Sequence, residues 1–354
     1  MAEYDPGAIK GCSRPMPTRR QALRHLALVA SVLSLRTASG ANAPKRLGIL
    51  SEVTEPKGGL FWEPEFWRLL AQHGWILGQN ILVERAFANG KSDLLARLAE
   101  EFVRKRVDLI LCAGEQEAMV AAARATRTIP IVAFDASDLV QAGLVESLAR
   151  PGRNVTGMAF NEGFAAKRLE YLRAIAPSAR RLCWLWGSDT AMSSRVDGTR
   201  YDVTALIAAS ARKLDFETRF FRVPGPGDLD RAFADVLAWK PHALTMSGRT
   251  LFVYGAAKDV AQFCLGQRLP SAFNTPEFVQ AGGLLSYAVP ESEAQLVTLR
   301  CIAYGDRLLR GEKPADMPVI APDRYELRIN MKTAETLGLT IPQSVLVSAD
   351  ELVR

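Results

Sequence analysis

Histidine is scarce in this chain: three in 354 residues, at positions 25, 73 and 242. Cysteine is thinly spread, with five, none of them in a C-x-x-C pair. No His/Cys cluster has metal-ligand spacing, so no structural zinc site is expected. The chain also lacks a G-x-S-x-G elbow, a G-x-x-x-x-G-K-[ST] phosphate loop and an H-E-x-x-H helix. These absences remove the usual sequence marks of hydrolases, nucleotide enzymes and metalloproteases, and no cofactor is expected. No apolar run reaches the roughly 20 residues that span a bilayer. Low-complexity tracts and short-period repeats are missing too.

Charge of one sign is also lacking. The 44 basic and 38 acidic residues give +6. Residues 1–43 hold six of the bases and two of the acids, leaving 38 against 36, or +2, for residues 44–354. Neither nucleic acid nor an anionic membrane is implied as a partner.

What residues 1–43 do contain is an export pattern. Arg19, Arg20 and Arg24 precede a mostly apolar Leu26–Leu35, and Ala41-Asn42-Ala43 has the A-x-A form of a cleavage site. Cleavage is expected near Ala43. The run from Thr18 to Arg24 resembles the twin-arginine export motif, with Ala22 where Phe is usual; the ordinary secretory route accepts such a segment too. Cys12 precedes the apolar segment and no Cys directly follows it, so no lipid anchor is expected. A periplasmic location follows. Of the cysteines beyond it, Cys112 and Cys183 lie in strand-like runs and Cys301 in a helical pattern. Buried free thiols are expected, with Cys183–Cys264 the one pairing to test.

The rest alternates short β-branched runs with amphipathic segments. Strands are expected at 46–51, 81–86, 107–113, 129–135 and 155–160, with helices at 63–74, 92–106 (Ser92 as N-cap) and 115–126 between them. A second series has strands at 181–186, 217–223, 243–247 and 270–274. Its helices are expected at 164–176, 201–214, 229–239 (capped by Asp228) and 252–268. Runs of βα units mean parallel sheets with helices on both faces. The fold class is therefore α/β, with two similar doubly wound parallel-sheet lobes. Ligands of such sheets bind beyond the carboxyl ends of the strands, and a cleft between the lobes is the natural site.

Three stretches carry a family resemblance. Residues 142–157 (AGLVESLARPGRNVTG), 278–287 (FVQAGGLLSY) and 329–352 (INMKTAETLGLTIPQSVLVSADEL) resemble bacterial substrate-binding proteins of ATP-driven uptake systems, in the branch that includes tryptophan/tyrosine-type binding proteins. Gly78-Gln79-Asn80-Ile81 adds a shorter match. The resemblance implies a periplasmic binding protein of type I-like fold, non-catalytic and monomeric. Such a protein captures a small organic ligand, an amino acid or related molecule with an aromatic one favoured, and docks on a membrane permease driven by a cytoplasmic ATPase. A ligand-sensing subunit presenting its ligand to a membrane receptor, or an exported enzyme, are the other readings. Hinge crossings would join a first lobe of 44–159 plus 285–317 to a second of 160–284 plus 318–354. Gly152 and Gly157 would bracket the outgoing strand, and Gly282-Gly283 would supply the return.

The loops at the strand ends depart from the family pattern, so the resemblance leaves the ligand open. Ser51, Asp135, Ser188, Asp189 and Asn274 stand where polar groups would orient it. Gly114 opens a strand-to-helix turn able to present N–H groups to an anion. Glu115, next in line, either gains from the helix dipole or pairs with a ligand amine. Phe61, Trp62 and Trp186, with Phe134, are loop packing or a flat-faced box for an aromatic group. Arg249 is a candidate partner for a ligand carboxylate or a solvated cation. His73 and His242 are expected in structural roles, at a helix end and in a turn.

Overall fold

The strands that read as unbroken apolar runs are those with both faces covered. Leu109–Ala113 is buried at every position, as expected of a central strand in a parallel sheet; Val155–Ala159, at the edge of its sheet, is equally buried, with Ile320 bridging Met158 alongside it. The computed structural model describes residues 43–354 except 61, 115, 137, 161–162, 187–191, 224–225 and 248–250; the side chains of 135, 163–164, 226, 247 and 251–254 also lie outside the description. The expected export segment, residues 1–43, lies almost wholly outside the described residues.

The first sheet is built from β1 (Lys45–Ser51), β2 (Ile81–Phe87), β3 (Leu109–Ala113), β4 (Ile131–Ala136) and β5 (Val155–Ala159). Its order is β2-β1-β3-β4-β5, parallel throughout. One face packs on α2 (Leu95–Arg104) and α3 (Gln116–Ala125), and the other on α1 (Glu63–Gln72) and a long return helix, Glu291–Leu309.

The second lobe repeats this winding. Strands β6 (Arg181–Trp186), β9 (Glu217–Arg222), β10 (Ala243–Ser247), β11 (Ser271–Phe273) and β12 (Leu285–Ala288) stand side by side as β9-β6-β10-β11-β12, all parallel. Numbered from the start of each lobe, both sheets have the order 2-1-3-4-5. The second sheet then extends through β13 (Glu326–Asn330), antiparallel to β12, and β14 (Glu351–Val353). Its covering helices include α4 (Gly163–Ile175), α5 (Val203–Arg212), α6 (Leu229–Trp239), α7 (Leu251–Gly266) and the short α8 (Glu277–Gln280). The return helix of the first lobe is α9. The expected α/β class and paired windings are therefore present, with two extra strands at one edge.

Several expectations need correction. Because β12 pairs with β11, residues 285–288 lie in the second sheet, and the chain returns to the first lobe at 289–290. The last crossing follows Ile320, which bridges Met158 and exchanges hydrogen bonds with Gly157 and Ala159 in the first lobe. Gly157 does not bracket a strand. It lies inside β5, where a Cβ would sit 2.1 Å from the Ala133 carbonyl oxygen, so its lack of a side chain permits close strand approach. Likewise a Cβ on Gly283 would meet the Phe273 ring at 2.7 Å, within the second lobe rather than at a crossing. Ser92 does not cap an α-helix, since Ser92–Leu94 is a 3₁₀ turn and α2 starts at Leu95. Asp228 occupies the N-cap of α6 without a side-chain cap bond and pairs with Arg231 instead.

The expected helix 201–214 is shorter. Its first residues belong to a hairpin, β7 (Met192–Ser194) with β8 (Arg200–Asp202). Among the described residues Cys112, Cys183, Cys264 and Cys301 are free and buried. Burial alone pushes the Cys112 and Cys301 thiols up and dominates the rise of the Cys264 thiol to about 12.

Candidate functional site

In a doubly wound sheet the order reverses between the first and third strands, and the carboxyl ends there form a crevice. The first lobe has this switch point between β1 and β3, where Ser51 is in register with Ala113. The buried Ser51 hydroxyl donates to the Ala113 carbonyl at 2.8 Å and ties the two strand ends together. Gly114 follows at φ +94°, and a Cβ there would lie 3.5 Å from Ser51 Oγ. The left-handed turn reverses the chain into α3, whose first-turn N–H groups and dipole favour an anion. Ser51 and Gly114 are thus adjacent, as the strand-end reading requires.

The second switch point lies between β6 and β10, where Trp186 is in register with Ser247. Trp186 is half-buried and meets Phe220 edge-on at 6.1 Å. Its indole Nε1 is shielded from solvent and finds no acceptor among the described residues. At the end of β11, half-buried Asn274 leads into Thr275, whose hydroxyl oxygen is buried without a partner among the described residues. Oε2 of Glu277 is in the same condition two residues on. A buried polar group without a partner is unfavourable by about 1–3 kcal/mol. These three lie beyond the carboxyl ends of β6 and β11.

Trp62 and Phe134 form no open box. They stack on each other at 4.2 Å, with planes 5° apart, and Phe66 packs edge-on against Trp62 at 5.6 Å. Both are about 1% exposed and belong to the first-lobe core. Phe61, Glu115, Ser188, Asp189 and Arg249 lie outside the described residues, as does the side chain of Asp135, whose backbone is in β4.

Sequence reasoning missed three residues here. Gln116, 6% exposed, begins α3 and donates from Nε2 to the Tyr201 hydroxyl at 3.0 Å and to the Ser194 carbonyl at 3.2 Å. Glu117 accepts from the Ser194 N–H at 2.9 Å. Burial raises the Tyr201 phenol's pKa, a shift opposed by its hydrogen bond to Gln116. These contacts join the start of α3, just after the carboxyl end of β3, to the segment that follows β6. The only signal for them was Asp197-Gly198, a turn dipeptide. Both histidines are structural: His242 Nδ1 accepts from the N–H groups of Arg180 and Arg181, and His73 is the C-cap of α1, 3.6 Å from Asp306.

No group of three or more His, Cys, Asp or Glu able to hold a metal ion occurs among the described residues, nor any helix long and apolar enough to cross a membrane.

The family model for ABC transporter substrate binding proteins matches residues 67–353. A tyrosine-binding protein of Clostridioides difficile (strain R20291) is 24% identical over 276 residues, 77% of this chain and 75% of the relative. The structure of an ABC domain from Streptococcus pneumoniae in complex with L-Trp superposes with TM-score 0.63 at 23% identity, covering 88% of this chain and 100% of that one. A conserved domain protein from Vibrio cholerae superposes with TM-score 0.65 at 22% identity, covering 87% and 99%. At such identities the solved structures establish the shared fold.

Proposed function

The chain belongs to the ABC transporter substrate-binding protein family, and from that premise we propose that it captures an amino acid or a related aromatic molecule between its two lobes. Members of this family bind small molecules outside the cytoplasm and work with ABC permeases; they are binding proteins rather than enzymes. The protein is exported with cleavage near Ala43, by the twin-arginine or the ordinary route, acts as an unanchored monomer in the periplasm, and delivers its ligand to a permease that a cytoplasmic ATPase powers.

The observation that carries this reading is the pair of switch points, Ser51–Gly114 in one lobe and Trp186 in the other, linked through the contacts of Gln116 and Glu117 with the segment that follows β6. Each lobe supplies half of a polar lining. The Gly114 turn suits a ligand carboxylate. Trp186 offers an aromatic face and an indole donor with no partner among the described residues. Asn274, at the end of β11, would add a polar group from the second lobe, and Phe61, Asp135, Ser188, Asp189 and Arg249 are proposed as further ligand contacts. The tyrosine-binding relative and the L-Trp complex point to the same ligand class.

Glu115 pairs with the ligand amine. Glu115→Gln should weaken binding of the identified ligand by about tenfold, since a charge-assisted hydrogen bond contributes roughly 1.5–3 kcal/mol; unchanged affinity in calorimetry would contradict this pairing. The class itself is tested by a thermal-shift screen of residues 44–354 against amino acids and aromatic acids. A ligand at 100 times its Kd stabilises by about 2.7 kcal/mol, a plain rise in Tm. No shift with any of them would overturn the proposed class.

A further inference from the structure

The hairpin β7–β8 belongs to the second lobe by connection, since it joins β6 to α5, yet its contacts are with the first lobe. Ser194 lies against the start of α3 through the Glu117 carboxylate and the Gln116 amide. Further along, Arg124 of α3 donates from Nε to the Val196 carbonyl at 3.4 Å and from its other nitrogen to the Arg195 carbonyl. In the opposite direction, Arg195 Nε donates to the Gln141 carbonyl at 3.0 Å, and the Val196 N–H donates to the Ala142 carbonyl at 2.9 Å. Val196 packs on the apolar core of the first lobe. The polar contacts run in both directions, with the partly buried Val196 side chain between them.

The hairpin is built to hold this shape. At its tip the Asp197 carboxylate accepts from both the N–H and the hydroxyl of Thr199, at 2.8 and 2.7 Å, and Gly198 takes φ +96°. The Arg195 guanidinium lies 4.6 Å from the centre of the Tyr201 ring. At its base Tyr201 reaches Gln116, two residues beyond the Gly114 turn. The hairpin therefore grips the first lobe beside the proposed anion-binding turn.

We propose that the hairpin 192–202 is a clasp carried by the second lobe, which fastens onto α3 and the 141–142 loop of the first lobe and must unfasten before the lobes can part. It rests on the ligand-capture reading for its purpose, which is to slow ligand release. Its mechanics do not depend on that reading. Because two lobes joined only by hinges interconvert readily, a set of contacts made in one arrangement alone shifts the population toward it.

The test uses ligand-free protein, residues 44–354, with spin labels at Arg104→Cys and Lys213→Cys, one exposed site on each lobe; the native thiols are all buried. The expected result is one narrow inter-lobe distance, with slow hydrogen exchange at the Ser194 and Val196 amides. In Arg124→Ala, and in a variant with 193–201 replaced by Gly-Ser, the distance should broaden and lengthen. In Arg124→Ala the Val196 amide should exchange at least tenfold faster, with far-ultraviolet circular dichroism unchanged. If Arg124→Ala keeps both the wild-type distance and the wild-type exchange, the clasp is refuted, whether or not the deletion folds. A broad distance in the wild type refutes it equally. A ligand found by the screen should leave about tenfold faster from Arg124→Ala. If the distances change as stated but no ligand is found, the capture reading fails and the clasp stands.

Discussion

Glu63 reads in the sequence as an ordinary first-turn carboxylate of a helix that starts after Gly58-Gly59. Folding buries it to 2% exposure and surrounds it with donors: the Leu60 N–H at 2.8 Å, the Trp67 indole at 3.4 Å and the Arg85 guanidinium from β2. It thereby fixes the end of the first βα loop, just before Trp62 enters the first-lobe core. No spacing rule links positions 63 and 85, so their pairing was not legible. The same applies to Trp62 and Phe134, whose placement at strand ends was readable while their preference for each other's faces was not. Breaking a buried ion pair from one side strands a charge, at about 3–5 kcal/mol. Arg85 is about a third exposed, so water recovers part of that. Arg85→Met should lower the unfolding free energy by roughly 2 kcal/mol in urea titration. A change under about 0.5 kcal/mol would show that Glu63 keeps adequate partners without it.

At the scale of elements, long periodic segments were legible and short ones were not. Strands 181–186 and 243–247 are where the sequence places them, because short runs of mostly apolar residues bounded by polar turns leave little choice. The three-residue strands of the hairpin carry no such pattern, and Tyr201 and Asp202 were absorbed into a helix. Asp202 instead caps α5, accepting from the Ala205 N–H at 3.1 Å and the Thr204 hydroxyl at 2.6 Å. The Thr204 hydroxyl first, then the Ala205 N–H, lower its pKa below 3.8. A group with a depressed folded pKa stabilises the fold above its unfolded pKa, and loses that contribution as pH falls through the folded value. Asp202→Ala should therefore destabilise by about 0.5–1 kcal/mol near neutral pH. The gap between the two proteins should close as pH drops below 3.8. A gap that persists unchanged at pH 2–3 would mean the carboxylate's charge is not the source.

For the whole molecule, the repeat of one winding in two lobes made the architecture readable, while the general task was readable only through the family resemblance. Two βα series in tandem dictate two sheets, and each sheet must have a switch point. Ser51, Gly114 and Trp186 followed from that rule alone, and the structure sets them at the two crevices. The crossings were less legible. Gly157 and the Gly282-Gly283 pair resemble hinges in sequence, but two of these glycines serve close packing inside a lobe. Extra strands β13 and β14 form an edge that the αβ alternation does not announce. Ligand identity is the least legible property, since it depends on strand-end loops rather than on the framework.

Isothermal titration of residues 44–354 with L-Trp, L-Tyr, L-Phe and simple aromatic acids measures the central claim directly. One ligand per chain, with saturable heat and a negative heat-capacity change from burying apolar surface between the lobes, is the predicted result. Absence of saturable binding by every member of that set would contradict capture of an amino acid or aromatic ligand by this protein.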